Sequence, residues 1–175
     1  MICIEKSTPN HAFELAFNMR SQDMIECALS GKTPLESLIT PFRYKRDGVQ
    51  IYSLLDNNEV IAMFGAVSAV NKPNHASVWL LGSKKIKKYD YWIIKRTKKW
   101  VDYVSSKYKF VYNVIPKDNL VTIKWLKWIG FTFSDKEIIV KGVKVLYFYR
   151  KIQGVSESIQ PIIGDIGPNW ITDLS

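Results

Sequence analysis

Between residues 49 and 81 three apolar stretches follow one another with only short polar breaks. Val49 to Leu55 ends at Asp56-Asn57-Asn58, Glu59 to Val70 runs on towards Lys72-Pro73-Asn74, and Ala76 to Leu81 is largely apolar. Runs of this length bounded by turn residues are strands. Asparagine tolerates the positive φ of a tight turn, so the first two form a hairpin. The third lacks a polar face, which places it centrally in a sheet. Any fold for this chain must therefore cover a sheet with helices.

The flanking sequence supplies those helices. Ile2 to Ile4 is a short first strand, and Phe13, Ala16, Phe17 and Arg20 recur at helical spacing within His11 to Arg20. Ser21 caps a second helix through Ala28, with Gly31 at its stop. Thr33-Pro34-Leu35-Glu36 is a capping box, and Pro41 ends that third helix near Thr40. In Lys84 to Lys107 the residues Ile93, Thr97, Trp100, Val101 and Val104 form one stripe, while Lys95, Lys98, Lys99 and Asp102 lie away from it. Lys109 to Pro116 is a fifth strand. Asp118 caps another helix closed by Gly130, in which Trp125 and Trp128 read as core. Phe131 to Val140 and Val143 to Lys151 form a hairpin about Lys141-Gly142. The expected architecture is α/β (α+β): a mixed, mostly antiparallel central sheet flanked by helices over residues 1–152, then an extended C-terminal arm, 153–175.

Composition narrows the function classes. Hydrophobic residues are 47% and charged residues 23% of the 175, enough core and too little charge for a disordered chain. No apolar run approaches the ~20 residues of a membrane span. The N-terminal Met-Ile-Cys-Ile-Glu-Lys lacks a basic start followed by an apolar core, so no secretory signal is expected. Cys3 and Cys27 both read as small buried hydrophobes in a reducing compartment. His11 and His75 stand alone, and no metal site is expected. The net charge of +9 comes mostly from lysine, a bias that argues against bidentate phosphate recognition.

The element order resembles the GNAT acetyltransferase superfamily. Its second motif runs Asn, then Ala three on, Tyr seven on, and Gly-Phe eleven and twelve on. Asn119, Gly130 and Phe131 match, as does Pro116 before them. Thr122 stands at the Ala position and Leu126 at the Tyr position. More narrowly, Trp79-Leu-Leu-Gly-Ser83, the basic helix after it, and Lys124-Trp-Leu-Lys-Trp-Ile-Gly-Phe131 resemble the degenerate GNAT-like internal virion protein A family of short-tailed, podovirus-type phages.

The superfamily resemblance implies acetyl-CoA held between the fourth and fifth strands, its pyrophosphate on backbone N–H groups of a glycine-rich loop. Here Gly82 is followed by Ser83-Lys-Lys-Ile-Lys-Lys-Tyr-Asp90, and no glycine recurs before Gly130. Leu126 cannot protonate a departing thiolate as a tyrosine there would. Tyr112, Tyr147 and Tyr149 are the candidate substitutes, and the fourth strand holds no carboxylate. The virion-protein resemblance therefore implies a non-catalytic, multi-copy component of internal core, portal or tail, with no cofactor. It would contact other virion proteins and copies of itself, in the virion and in the host cytoplasm during assembly. The alternative is an acetyl-CoA-dependent N-acyltransferase using main-chain groups of Leu80, Leu81, Gly82, Ser83 and Asn119. A third reading is a phage host-takeover protein that binds DNA or an acidic protein.

Two surfaces carry those readings. Lys84, Lys85, Lys87, Lys88, Lys95, Arg96, Lys98 and Lys99, opposed by Asp90 alone and interleaved with Tyr89, Tyr91 and Trp92, suit nucleic acid or an acidic partner. Residues 153–175 hold no Lys or Arg, three acids, and the apolar anchors Ile159, Ile162, Ile163, Ile166, Trp170 and Ile171, as expected of an arm between subunits.

Overall fold

Local turn chemistry sets most element boundaries. In the computed structural model the described residues are 1–43, 50–69 and 72–152. The chain runs β1 (Ile2–Lys6), α1 (Pro9–Asn18), α2 (Ser21–Leu29), α3 (Pro34–Arg43), β2 (Gln50–Asp56), β3 (Glu59–Ser68), β4 (His75–Gly82), a 3₁₀ turn (Ile86–Tyr89), α4 (Asp90–Ser105), β5 (Phe110–Pro116), α5 (Leu120–Ile129), β6 (Thr132–Val140) and β7 (Val143–Lys151). The expected ends at Val49 and Val70, and the arm 153–175 with its six anchors, lie outside the described residues.

The β2–β3 turn holds Asn57 and Asn58 at φ 49° and 68°, and the β6–β7 turn holds Lys141 and Gly142 at 48° and 79°. Both are the positive-φ turns that match strand twist. The capping box on α3 forms as expected: the Thr33 N–H donates to Glu36, and the Glu36 N–H donates to the Thr33 hydroxyl at 3.2 Å. Three boundaries differ from expectation. Pro41 lies inside α3, because losing one bond in a last turn costs less than in mid-helix, and its ring is buried. Arg20, not Ser21, precedes α2, without a side-chain cap. Asn119 rather than Asp118 caps α5, taking the Thr122 N–H at 3.3 Å.

Among the described residues seven strands form one sheet in the order β1-β2-β3-β4-β5-β7-β6. β4 and β5 pair parallel, whereas β1–β2, β2–β3, β5–β7 and β6–β7 are antiparallel. The mixed α/β architecture expected from sequence is present, with β4 in the middle of the sheet.

By contacts the chain divides into two compact units. The first holds Met1–Val67 and Trp79–Lys95. Its main core joins Ala12, Leu15 and Met19 of α1 and the turn after it to Leu38, Leu55, Met63 and Leu81. A second cluster packs Ile86 of the 3₁₀ turn with Leu54, Ile61 and Ala62. The second unit holds Ser68–Val78 and the chain from Arg96 onward. There Phe110, Tyr112 and Tyr147 form a ring cluster with Tyr149, Val114 and Ile138. Cys27 is buried as expected, but Cys3 is exposed, because β1 turns Ile2 and Ile4 inward and alternates Cys3 outward.

Candidate functional site

The residues that matter lie at the two places where β4 stops behaving as an ordinary strand. The first is its middle. Parallel pairing with β5 covers only His75–Ser77 against Phe110–Tyr112, although both strands run further. At the next position stands Asn113, a buried amide in an otherwise apolar strand. Its Nδ2 donates to the Val78 carbonyl at 2.8 Å, and its Oδ1 accepts the Val114 N–H at 2.8 Å. The side chain thus satisfies one backbone group on each strand that a continued ladder would have paired. A buried backbone group must find a partner, and the Asn113 amide supplies one to each of these two groups. Sequence reading passed over it; the signal was an asparagine inside Phe-Val-Tyr-Asn-Val-Ile-Pro.

The second place is the end of β4. The Gly82 N–H donates to Asp23 Oδ2 at 2.5 Å, and Arg20 Nε donates to the same oxygen at 2.7 Å. Asp23 is completely buried, and its Oδ1 has no partner among the described residues. Burial lifts its carboxyl above the ordinary range, although Arg20 and the Gly82 N–H favour the anion. This carboxylate comes from α2, so the lack of an acid in β4 gave no hint of it. Arg20 three residues earlier was the available signal.

The following N–H groups are also engaged. Ser83 donates to the Ile61 carbonyl at 2.8 Å and Lys84 to the Asn18 carbonyl at 2.9 Å. Lys85 donates to the Ser83 hydroxyl at 3.3 Å, and Ile86 to the Ser83 carbonyl at 3.0 Å. Ser83 is buried and bridges to Met19. Gly82 is small for a packing reason: a Cβ there would overlap Ile86 Cδ1 and lie 3.1 Å from Ile86 Cβ. Beyond it, Lys85 pairs with Glu59 at 2.6 Å, and the Tyr89 hydroxyl donates to Asp56 at 2.9 Å. That bond is the main reason the Asp56 carboxyl lies below its usual range.

Of the expected cofactor contacts, Leu80, Leu81, Gly82 and Ser83 therefore sit together at this end of β4, with the N–H groups of Gly82 and Ser83 already bonded within the protein. Asn119 caps α5 in the other unit. All eight expected surface cations, Lys84, Lys85, Lys87, Lys88, Lys95, Arg96, Lys98 and Lys99, are exposed. Glu59 joins Asp90 as an acid among them, and Lys95 lies 4.2 Å over the Tyr91 ring. Tyr112 and Tyr147 are buried in the ring cluster, and Tyr149 packs against it. On α5 the buried residues are Ile123, Leu126 and Ile129. This phase turns Trp128 outward, against the expectation that it is core. Among the described residues no group of His, Cys, Asp and Glu could hold a metal, and no helix is long and apolar enough to cross a membrane.

No protein-family model matches the sequence, and no curated protein is similar to it in sequence. Solved structures do match. The spermidine N-acetyltransferase of Vibrio cholerae, determined with CoA and spermine, aligns with TM-score 0.65 at 10% identity, over 86% of this chain and 95% of that one. The ribosomal-protein-S18-alanine N-acetyltransferase of Escherichia coli aligns with TM-score 0.63 at 9% identity, over 91% and 99%. A GNAT-family acetyltransferase of Streptococcus pneumoniae gives 0.59 at 13%, over 87% and 100%. The chain has the GNAT acetyltransferase fold. At these identities the likeness speaks for the GNAT fold alone. None of these matches bears on the narrower phage virion-protein resemblance.

Proposed function

We propose that this GNAT-fold chain is an acyl-CoA-dependent N-acyltransferase. The observation that carries the reading is the parallel β4–β5 pairing of three residue pairs, followed by the Asn113 amide on the Val78 carbonyl. The fold resemblance implies acyl-CoA between these two strands, and the structural neighbours are acetyltransferases. The diphosphate does not fit a main-chain nest here, because the N–H groups from Gly82 to Ile86 are bonded internally. Exposed lysines of the segment, Lys84, Lys87 and Lys88, would meet it as point charges instead. No residue is assigned as acid or base.

A second, non-catalytic reading on the same fold, under which the virion or assembly role would fall, is favoured by two observations. Leu126, at the position where the superfamily places its tyrosine, is buried, and the N–H groups of the loop after β4 are bonded within the protein. Calorimetric titration of the full chain with acetyl-CoA separates the two. Micromolar binding that weakens at least tenfold in Asn113→Ala supports the acyltransferase (about 1.4 kcal/mol). No heat at millimolar acetyl-CoA would sink it and leave the non-catalytic reading.

A further inference from the structure

Helix α2, in the first unit, turns its apolar residues outward and an acid inward. Ser21, Met24, Ile25 and Ala28 stand three, four and seven positions apart, so they line one face, and all four are exposed. Met24 is 45% and Ile25 49% exposed. The inward side buries Asp23, Cys27 and Leu29. An ordinary surface helix has the reverse pattern, and an outward apolar stripe marks a surface that meets a partner. Phe17 of α1 adds to it: the ring is 88% exposed and, four residues before Ser21, lies within about 14 Å of the start of α2.

Charge decides what kind of partner fits. The chain carries a net +9, yet α1 and α2 contain no lysine, and Arg20 before α2 is held by Asp23 at 2.7 Å. Nucleic acid and anionic lipid are poor matches, since both are met by cations. The other helices with exposed apolar residues differ. Tyr91, Ile94 and Tyr103 on α4 stand among Lys95, Arg96, Lys98 and Lys99, and Leu120, Val121 and Trp128 on α5 stand beside Lys124 and Lys127. Two copies meeting through either helix would oppose like charges, whereas the α2 stripe holds no charge at all. The stripe also complements itself. Its order is small, large, large, small in both directions, so an antiparallel twofold pairing sets Ser21 against the partner's Ala28 and Met24 against the partner's Ile25.

We propose that α2 is the contact of a weak homodimer, in which two antiparallel copies of the helix pack through Ser21, Met24, Ile25 and Ala28. The area sets the strength. At roughly 200 Å² per ring, the uncovered part of Phe17 is about 180 Å². With two half-exposed aliphatic side chains on α2, this falls well short of the about 800 Å² a side that a stable complex buries. The dissociation constant is therefore on the order of 100 μM rather than nanomolar.

Sedimentation equilibrium of the full chain, from tenfold below to tenfold above that concentration, tests it. The expected result is a reversible monomer–dimer equilibrium. Ile25→Glu should weaken it at least tenfold while leaving the urea midpoint unchanged, because the position is exposed and Glu is a good helix former. Trp128→Glu on α5 should leave it as in the wild type. Cysteine pairs read the register. In a Cys3→Ser background, which removes the exposed thiol, a mixture of Ser21→Cys and Ala28→Cys proteins should form a disulfide dimer under copper-phenanthroline oxidation at least tenfold faster than either protein alone. A chain that stays monomeric throughout, or a dimer that Ile25→Glu leaves intact, would overturn the proposal. A mixture no faster than either protein alone would overturn the antiparallel pairing. Binding of a monomeric chain to phosphatidylcholine vesicles, abolished by Ile25→Glu, would overturn the dimer and put a lipid surface on the stripe.

Discussion

Replacing Asp23 tests whether a buried carboxylate holds the end of β4. The carboxylate is fully buried, and one oxygen takes both the Gly82 N–H and Arg20 Nε. Asp23→Ala leaves both donors without that acceptor and a mostly buried guanidinium without its partner, at a cost of about 3–5 kcal/mol. Asp23→Asn keeps an acceptor in the same place. Its amide nitrogen then occupies the site of Oδ1, which already lacks a partner, so the cost is about 1–2 kcal/mol. The pH dependence carries the sharper test. The folded carboxyl is raised above its unfolded value by burial. Its stabilising contribution is therefore complete below the unfolded pKa and is lost as pH rises through the folded one. The wild type should lose stability relative to Asp23→Asn as pH climbs from about 4, near the unfolded value. Urea denaturation of wild type and both variants at several pH values reads this directly. If the difference between wild type and Asp23→Asn is constant, or grows with pH, the carboxylate is held as a favourable ion pair and the reasoning fails.

Other expectations are quicker to check. Gly82→Ala should cost about 1–3 kcal/mol by overpacking, because Ile86 is buried and has Cβ as well as Cδ1 in the way; an unchanged urea midpoint would contradict it. Native protein at pH 8 should consume one equivalent of a thiol reagent at Cys3. Burial pushes the Cys27 thiol up to about 11, so the second equivalent should react only on unfolding, as mass spectrometry would show. If the basic segment binds duplex DNA, fluorescence anisotropy should show affinity falling with salt, and Lys87→Glu with Lys88→Glu should flatten the slope by roughly two phosphate contacts. An absence of binding at low salt removes that surface from the functional account.

What could be read from sequence was whatever is decided locally. The Asn57-Asn58 and Lys141-Gly142 turns, the Thr33 box and the αL closure of α5 at Gly130 (φ 101°) depend on a few neighbouring residues, and each is in place. The order of elements followed from these and pointed to the GNAT fold. What escaped depends on partners distant in the chain. Asp23 looks like an ordinary helix acid until Gly82, 59 residues later, is brought against it. Asn113 looks like a strand defect until Val78 is seen across from it. Trp128 was misplaced because indole size suggested core, whereas the helix phase fixed by Ile123, Leu126 and Ile129 turns it out.

The same distinction bears on the missing glycines after β4. Their absence could have left a stiff loop with N–H groups still presented to a ligand. Instead five consecutive N–H groups, Gly82 to Ile86, are bonded within the protein. Releasing all five would cost about 3 to 7 kcal/mol at 0.5–1.5 kcal/mol each. Micromolar binding supplies only about 8 kcal/mol in total. A ligand that had to open this loop would spend most of its affinity doing so. Acetyl-CoA binding at that strength therefore requires the loop to stay closed and its phosphates to be met by lysine side chains. Charges of that kind are screened by salt, with a Debye length of about 10 Å at 0.1 M and 3 Å at 1 M. Acetyl-CoA affinity should then fall severalfold as salt rises across that range, while the affinity of acetyl-pantetheine, which has no phosphate, should not change. Equal salt responses for the two would mean that the lysines of this segment do not meet the phosphates.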